Sequence, residues 1–257
     1  MKKTLLSLCV SALLGMTSMS ASASFINVGG VVWDPDSSFD FSSTDTMLEG
    51  TVTNPRDVLS GYGHINEFNG GFGFCPGCEL TYTFTGYELV NNGTTFSFTG
   101  GTFSVYVDNT PDFNLLSANS ASDGTLFLSL KARTTFDIAS GLTGTLFATP
   151  TPTLGGPAGN GRGFLDVVPG GIATGNFDTD SISVLDAPNL LGLADFAFTS
   201  SFQILNTPIV SDDGKTYTLK GSNDLTGNSI PEPGSLALLG LGLAGLGALQ
   251  RRRKTAK

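Results

Sequence analysis

Polar and apolar positions alternate over most of this chain, and the alternation predicts strands. In "LTYTFTGYELV" (residues 80–90), Leu80, Tyr82 and Phe84 fall on one face, and Thr81, Thr83 and Thr85 on the other. "TFSFTG" and "GTFSVYV" repeat Phe96 and Phe98, then Phe103, Val105 and Val107, at the same period. "TLFLSLKA" sets Leu126, Leu128 and Leu130 against Phe127, Ser129 and Lys131, and "DFAFTSSFQIL" carries Phe196 and Phe198 on to Phe202 and Ile204. Side chains along a strand point alternately to opposite faces, so each run can bury one face. No window between residues 24 and 229 holds a helical stripe. Turn signals separate the runs: "NNGT", with Asn92 and Gly93 suited to a tight hairpin, "GG" at 100–101, and "SDDGK" at 211–215. Short strands between such turns, enriched in Thr, Phe and Val, predict an all-β fold, an antiparallel β-sandwich or jelly roll. The stretch "ATPTPTLGGPAGNGRG" (148–163) is poor in apolar residues and rich in Pro and Gly, and reads as a long loop or interdomain linker. One sandwich interrupted by a loop is favoured over two domains, because each half is small for a closed core.

Both ends break the alternation. In "MKKTLLSLCVSALLGMTSMSASAS", Lys2 and Lys3 precede an apolar run over 5–16, and small residues follow at 21–23. That order predicts a signal peptide over 1–23, removed by signal peptidase after Ala23; the run is short for a transmembrane helix. At the other end, Pro231 and Pro233 exclude helix before residue 234. Residues 236–249 are then 14 apolar or Gly positions in a row. As a helix they extend about 21 Å, and flanking residues extend them across a thin bilayer. Gly240, Ala244 and Ala248 recur at a spacing that permits close helix contact. Arg251, Arg252, Arg253 and Lys254 stop transfer and hold that end in the cytoplasm. The organisation is therefore a signal peptide, an extracytoplasmic β domain over 24–229, and a C-terminal segment over 230–257 with a single transmembrane helix.

Setting both ends aside changes the charge. Residues 24–229 hold six Lys and Arg against 21 Asp and Glu, a formal net charge of −15. A body this acidic opposes nucleic-acid binding, which depends on Lys and Arg neutralising phosphates. It favours solubility and attracts divalent cations.

The candidate chemistry is sparse. "FCPGC" places Cys75 and Cys78 as the two body cysteines. In an oxidising compartment they form a possible disulfide closing a short loop before a strand. A redox dithiol needs a helix N-terminus, and zinc needs more ligands than these two and His64 provide. His64, the single histidine, sits in a Gly-rich context with no G-x-S-x-G or H-E-x-x-H motif. The four body glutamates are Glu49, Glu67, Glu79 and Glu88, and glycoside hydrolysis needs two carboxyls at a set separation across a cleft. Asp34, Asp36 and Asp40 in "WDPDSSFD", with Asp178 and Asp180 in "NFDTDS", are weak calcium candidates without EF-hand spacing. Otherwise no metal or cofactor is expected. Sugar stacking asks for exposed Trp or Tyr, whereas Trp33 is the one tryptophan and Phe dominates with 19.

The tail is more specific. Pro231, Glu232 and Pro233, then "GSLALLGLGLAGLGAL", then "RRRK" resemble the PEP-CTERM sorting signal. The resemblance covers residues 230–254 and implies a Gram-negative exporter in which an exosortase, an integral-membrane enzyme with a catalytic Cys, recognises and cleaves the tail. It also implies association with exopolysaccharide, biofilm and floc formation. This chain would be the substrate, so no catalytic residue carries over to it. The expected function is a noncatalytic, exported surface or extracellular-matrix protein, held in the inner membrane until processed. The alternative is a carbohydrate- or calcium-binding module, and after it an extracellular hydrolase.

Overall fold

The structure is a computed structural model that describes residues 25–37, 39–153, 156–186 and 190–230. The expected signal peptide and everything from Pro231 onward, including the sorting residues, the apolar run and the basic cluster, lie outside the described residues. Among those described, no helix is long and apolar enough to cross a membrane.

The strands follow in chain order: β1 (Ile26–Val28), β2 (Val31–Trp33), β3 (Phe39–Glu49), β4 (Val58–Ile65), β5 (Glu67–Phe68), β6 (Glu79–Asn92), β7 (Phe96–Asp108) and β8 (Thr125–Ala132). The second half contains β9 (Thr135–Asp137), β10 (Leu142–Gly144), β11 (Leu146–Thr153), β12 (Gly156–Val168), the one-turn helix α1 (Thr174–Phe177), β13 (Ile182–Asp186), β14 (Leu190–Ala194), β15 (Phe196–Val210) and β16 (Thr216–Gly227).

The predicted all-β antiparallel class holds, and its main element is one ten-stranded sheet that returns on itself. Along one edge β7 bonds β6; along the other it bonds β8 through Thr102 to Val107 and β11 through Phe96 to Phe98. β12 repeats the arrangement, with β15 on one side and both β11 and β8 on the other. Proceeding from β12 through β15, β16, β3, β4, β6 and β7, the circuit closes on β12 again through β8 and β11. The layers that face each other across the core therefore belong to a single barrel wall. Closure leaves that wall without a long open edge, the hazard of any antiparallel sheet.

Closure requires room inside, and glycine provides it. Inward Gly61 pairs with Phe84, Gly63 with Tyr82, Gly163 with Phe198, and Gly159 with Phe202. A Cβ on Gly61 would overlap the Leu48 carbonyl and the Phe84 ring; one on Gly159 would overlap the Phe202 ring. Rings thus lie over bare backbone on the neighbouring strand, which is how a barrel of this size accepts so many aromatics. Tyr82 stacks on Phe103 with centroids 4.9 Å apart, and Phe103 reaches Phe198 at 6.0 Å.

This packing corrects two sequence expectations. The stretch over 148–163 is not a linker: it forms most of β11 and the first half of β12, in the barrel wall. Gly159, Gly161 and Gly163 occupy inward positions, so the period-two pattern is present but written in residues without side chains. Pro150 lies on β11 beyond Ala148, where pairing with β7 has ended and a missing amide donor is tolerated. Gly100 and Gly101 likewise do not make a turn. They adopt φ of 70° and 108° inside β7, beside Gly86 at 78° in β6, and bend one continuous hairpin. The β6–β7 turn itself uses residues 93–95, and neither Asn92 nor Gly93 takes a positive φ. "SDDGK" does turn, joining β15 to β16 with Gly214 at φ 76°.

The register gives the barrel two unlike ends. Where β3 begins and β16 finishes, an aromatic plug fills the interior. Trp33 stacks on Phe177 at 5.1 Å, Phe41 on Phe68 at 4.9 Å, and Phe127 and Phe196 complete the group. The β1–β2 hairpin delivers Trp33 to this plug, and its indole N–H donates to Ser229 Oγ at 3.1 Å. The amide of Ile230 donates to the Asn176 carbonyl at 2.8 Å, so the last described residues are fastened to the plugged end. A four-stranded sheet, β10-β9-β13-β14, stands on the outside. Arg133 ties it to the barrel by bridging Asp186 at 2.7 Å and Asp166 at 3.1 Å, and Arg162 adds Asp137 at 2.7 Å.

Overpacking a core costs about 1–3 kcal/mol. Gly61→Ala is expected to destabilise the barrel by that amount and lower its melting temperature by several degrees. Gly73→Ala, with open space around the added methyl, should leave it unchanged. Thermal unfolding of the two variants beside the parent checks the difference.

Candidate functional site

The end opposite the plug is hollow. A pocket of about 200 Å³ lies among residues 50–53 beyond β3, the start of β7, β11 and the middle of β15. Its wall is apolar: Val52, Leu59, Phe96, Phe98, Leu146 and Phe202. Glu49 is the one ionisable residue that lines it, and it also lines a smaller void of about 20 Å³ toward the barrel centre, among Met47, Phe84 and Phe103. Ser200 is common to both spaces.

Strand geometry explains how a carboxyl reaches this position. Phe41, Met47 and Glu49 share the inward parity of β3, and the extra residues between Ser43 and Met47, with Asp45 at φ 58°, bulge without changing that parity. Glu49 pairs with Gly61 on β4 and Leu219 on β16, and is only 6% exposed. Burial alone pushes its carboxyl up to about 8, because the charged form loses its water and gains no cation. The signal was legible in "FDFSSTDTMLEG", where a glutamate continues the parity of a phenylalanine and a methionine.

The residues singled out from the sequence are dispersed. Cys75 and Cys78 are joined as a disulfide with Cα atoms 5.1 Å apart, half-buried against the core, and β6 rather than a helix follows them. His64 sits on β4 with its ring stacked on Phe113 at 5.3 Å and Nε2 4.0 Å from Glu79 Oε2. Burial lowers its pKa and favours the neutral ring. Asp34 accepts the Asp36 amide at 3.0 Å in a turn, whereas Asp180 lies past α1 and donates its amide to Asp195 at 2.7 Å. Asp178 ends that helix, its amide bonded back to the Thr174 carbonyl at 3.3 Å. Asp40 has its pKa raised by burial and then by Asp224 and Glu67.

A different acidic set converges. The ligand atoms of Glu79, Asp108 and Asp112 lie within 4.8 Å of one another. Glu79 Oε1 already accepts the amides of Asp112 and Phe113, at 2.8 and 2.9 Å, and Asp108 Oδ1 accepts the amide and the hydroxyl of Thr110, so these carboxyls shape the loop after β7. Trp33, the residue best suited to stack on a sugar, is 2% exposed inside the plug.

Beyond the plugged end, the fastened Ser229 and Ile230 lead into the segment whose sequence is most distinctive. Residues 229–254 match the family model for the PEP-CTERM protein-sorting motif. The chain carries that sorting motif. It marks an exported protein that is sorted at the membrane and processed by an exosortase. No curated protein and no solved structure matches the chain. The motif thus concerns the tail, and the barrel must be read from its own geometry.

Glu49 has a consequence for stability. Its folded pKa of about 8 lies above its ordinary 4.5, so between those values the native state binds a proton that the unfolded chain has lost. Stability therefore falls as pH rises across that window, by a few kcal/mol at most. Glu49→Gln removes the proton and should flatten the decline. Urea unfolding of both proteins from pH 5 to pH 9 measures it.

Proposed function

We propose that this protein is a noncatalytic surface or extracellular-matrix barrel, delivered across the inner membrane with its tail as a temporary anchor and released by exosortase cleavage near Pro231, Glu232 and Pro233. The observation that carries the reading is the sorting motif beginning at Ser229, where the barrel ends. Ser229 is 8% exposed and bonded to Trp33, and Ile230 is bonded to Asn176, so folded structure persists to the residue before Pro231. Cleavage beyond Ile230 leaves the folded product intact. Signal peptidase acts first at the other end.

The barrel surface suits a life outside the cell. Four of its cations, Arg133, Arg162, Lys215 and Lys220, are paired with aspartates, which leaves a large acidic surplus facing solvent. Such a surface repels anionic lipid and nucleic acid and joins acidic exopolysaccharide through shared divalent cations. Biofilm matrix is the setting that combines these properties.

Cell fractionation and intact-mass measurement test the proposal. The extracellular form should end near residues 231–233. Glu232→Ala should accumulate in the membrane fraction with an unchanged melting temperature, since that residue lies beyond the barrel. Removing residues 231–257 should leave the barrel in the periplasm. A released form that retains residues 236–254 would overturn the reading.

A further inference from the structure

We propose that the hollow end of the barrel binds an uncharged, ring-sized apolar molecule bearing one hydroxyl or amide-like group, which Glu49 holds by hydrogen bonding. Protein interiors are close-packed and leave few voids larger than a water molecule. Here a pocket of about 200 Å³ persists beside a core otherwise filled by stacked rings. A dry cavity of about 150 Å³ holds a benzene ring. The space therefore takes a ring with a short substituent, in contact with Phe96, Phe98 and Phe202.

The polar chemistry of the wall narrows the class. Glu49 is 94% removed from solvent, and desolvation is the one influence on its carboxyl: no cation or hydrogen-bond donor of the described chain offsets the burial. An unpartnered buried carboxyl is costly unless a ligand completes it. Held neutral below about pH 8, it offers one O–H donor and one carbonyl acceptor, the complement of a hydroxyl or amide. An anionic ligand finds no positive partner in this wall. The other polar side chains of the wall are Thr51, Thr53 and Ser200, and Thr51 is already bonded to Thr218. A cationic amine would have to ionise Glu49 among apolar side chains, where desolvating two charges offsets their attraction. The pocket adjoins residues 50–53 and Pro150, at the end opposite Ser229 and Ile230.

The test uses the intact chain in lipid nanodiscs, with empty nanodiscs as the blank for partitioning, and ¹³C-phenylalanine to follow the rings by NMR. p-Cresol should give saturable shifts at Phe96, Phe98 and Phe202, and toluene, which lacks the hydroxyl, should bind about fivefold more weakly. Glu49→Leu should bring the two probes within about twofold of each other. Glu49→Gln, which retains a donor and an acceptor, should keep the preference. Three results would each overturn the proposal: no saturable shift in the parent, an undiminished p-cresol preference in Glu49→Leu, or tighter binding of 4-methylbenzylamine than of p-cresol. Saturable toluene binding that persists in Glu49→Leu separates loss of the hydrogen bond from loss of the fold.

Discussion

Closure of the main sheet is the constraint on which the rest of the structure depends. It is made by two strands that each serve two partners along one edge: β7 and β12 both bond to β8 and to β11. A sheet curved this tightly brings its inward side chains close together, and large rings fit only where a neighbouring strand offers none. The pairing of Gly61 with Phe84, Gly63 with Tyr82 and Gly159 with Phe202 meets that requirement. Glycine is an expensive strand residue in conformational entropy. Its recurrence at inward positions is intelligible because closure hydrogen-bonds the whole wall and buries the rings.

Closure also makes the two ends unlike. One end receives a tryptophan and several phenylalanines, fed by the β1–β2 hairpin and α1, and becomes solid. The other receives Leu59, Leu146 and Leu219 around a carboxyl and stays hollow. The chain leaves from the solid end, latched by Ser229 and Ile230. The last described residues and the cavity are thereby separated by the length of the barrel.

The legible parts of the sequence are those where one face of a strand is apolar. The runs over 80–90, 103–107, 126–130 and 196–204 became parts of β6, β7, β8 and β15. Phe127 shows where alternation misleads. It lies out of phase with Leu128 and Leu130 yet is fully buried, because a register shift opposite Val105 and Tyr106 turns it toward the plug. The stretch over 148–163 was illegible for the opposite reason. Strand propensity weighs side chains, and β12 presents glycines inward, so a wall strand carries the composition of a loop. Gly159, Gly161 and Gly163 at strict spacing were the available sign.

The sequence by itself determined the β class, the acidic body and the sorting tail. Each is a local property, of period, of composition or of a short ordered motif, and none needs distant residues to meet. Tertiary structure alone decided that the sheet closes, which end is filled, and that Glu49 faces an apolar cavity with its proton held into the neutral range. Those facts arise from strands far apart in the chain sharing one interior, where a carboxyl's environment is set by Phe98, Leu146 and Leu219 rather than by its neighbours in sequence.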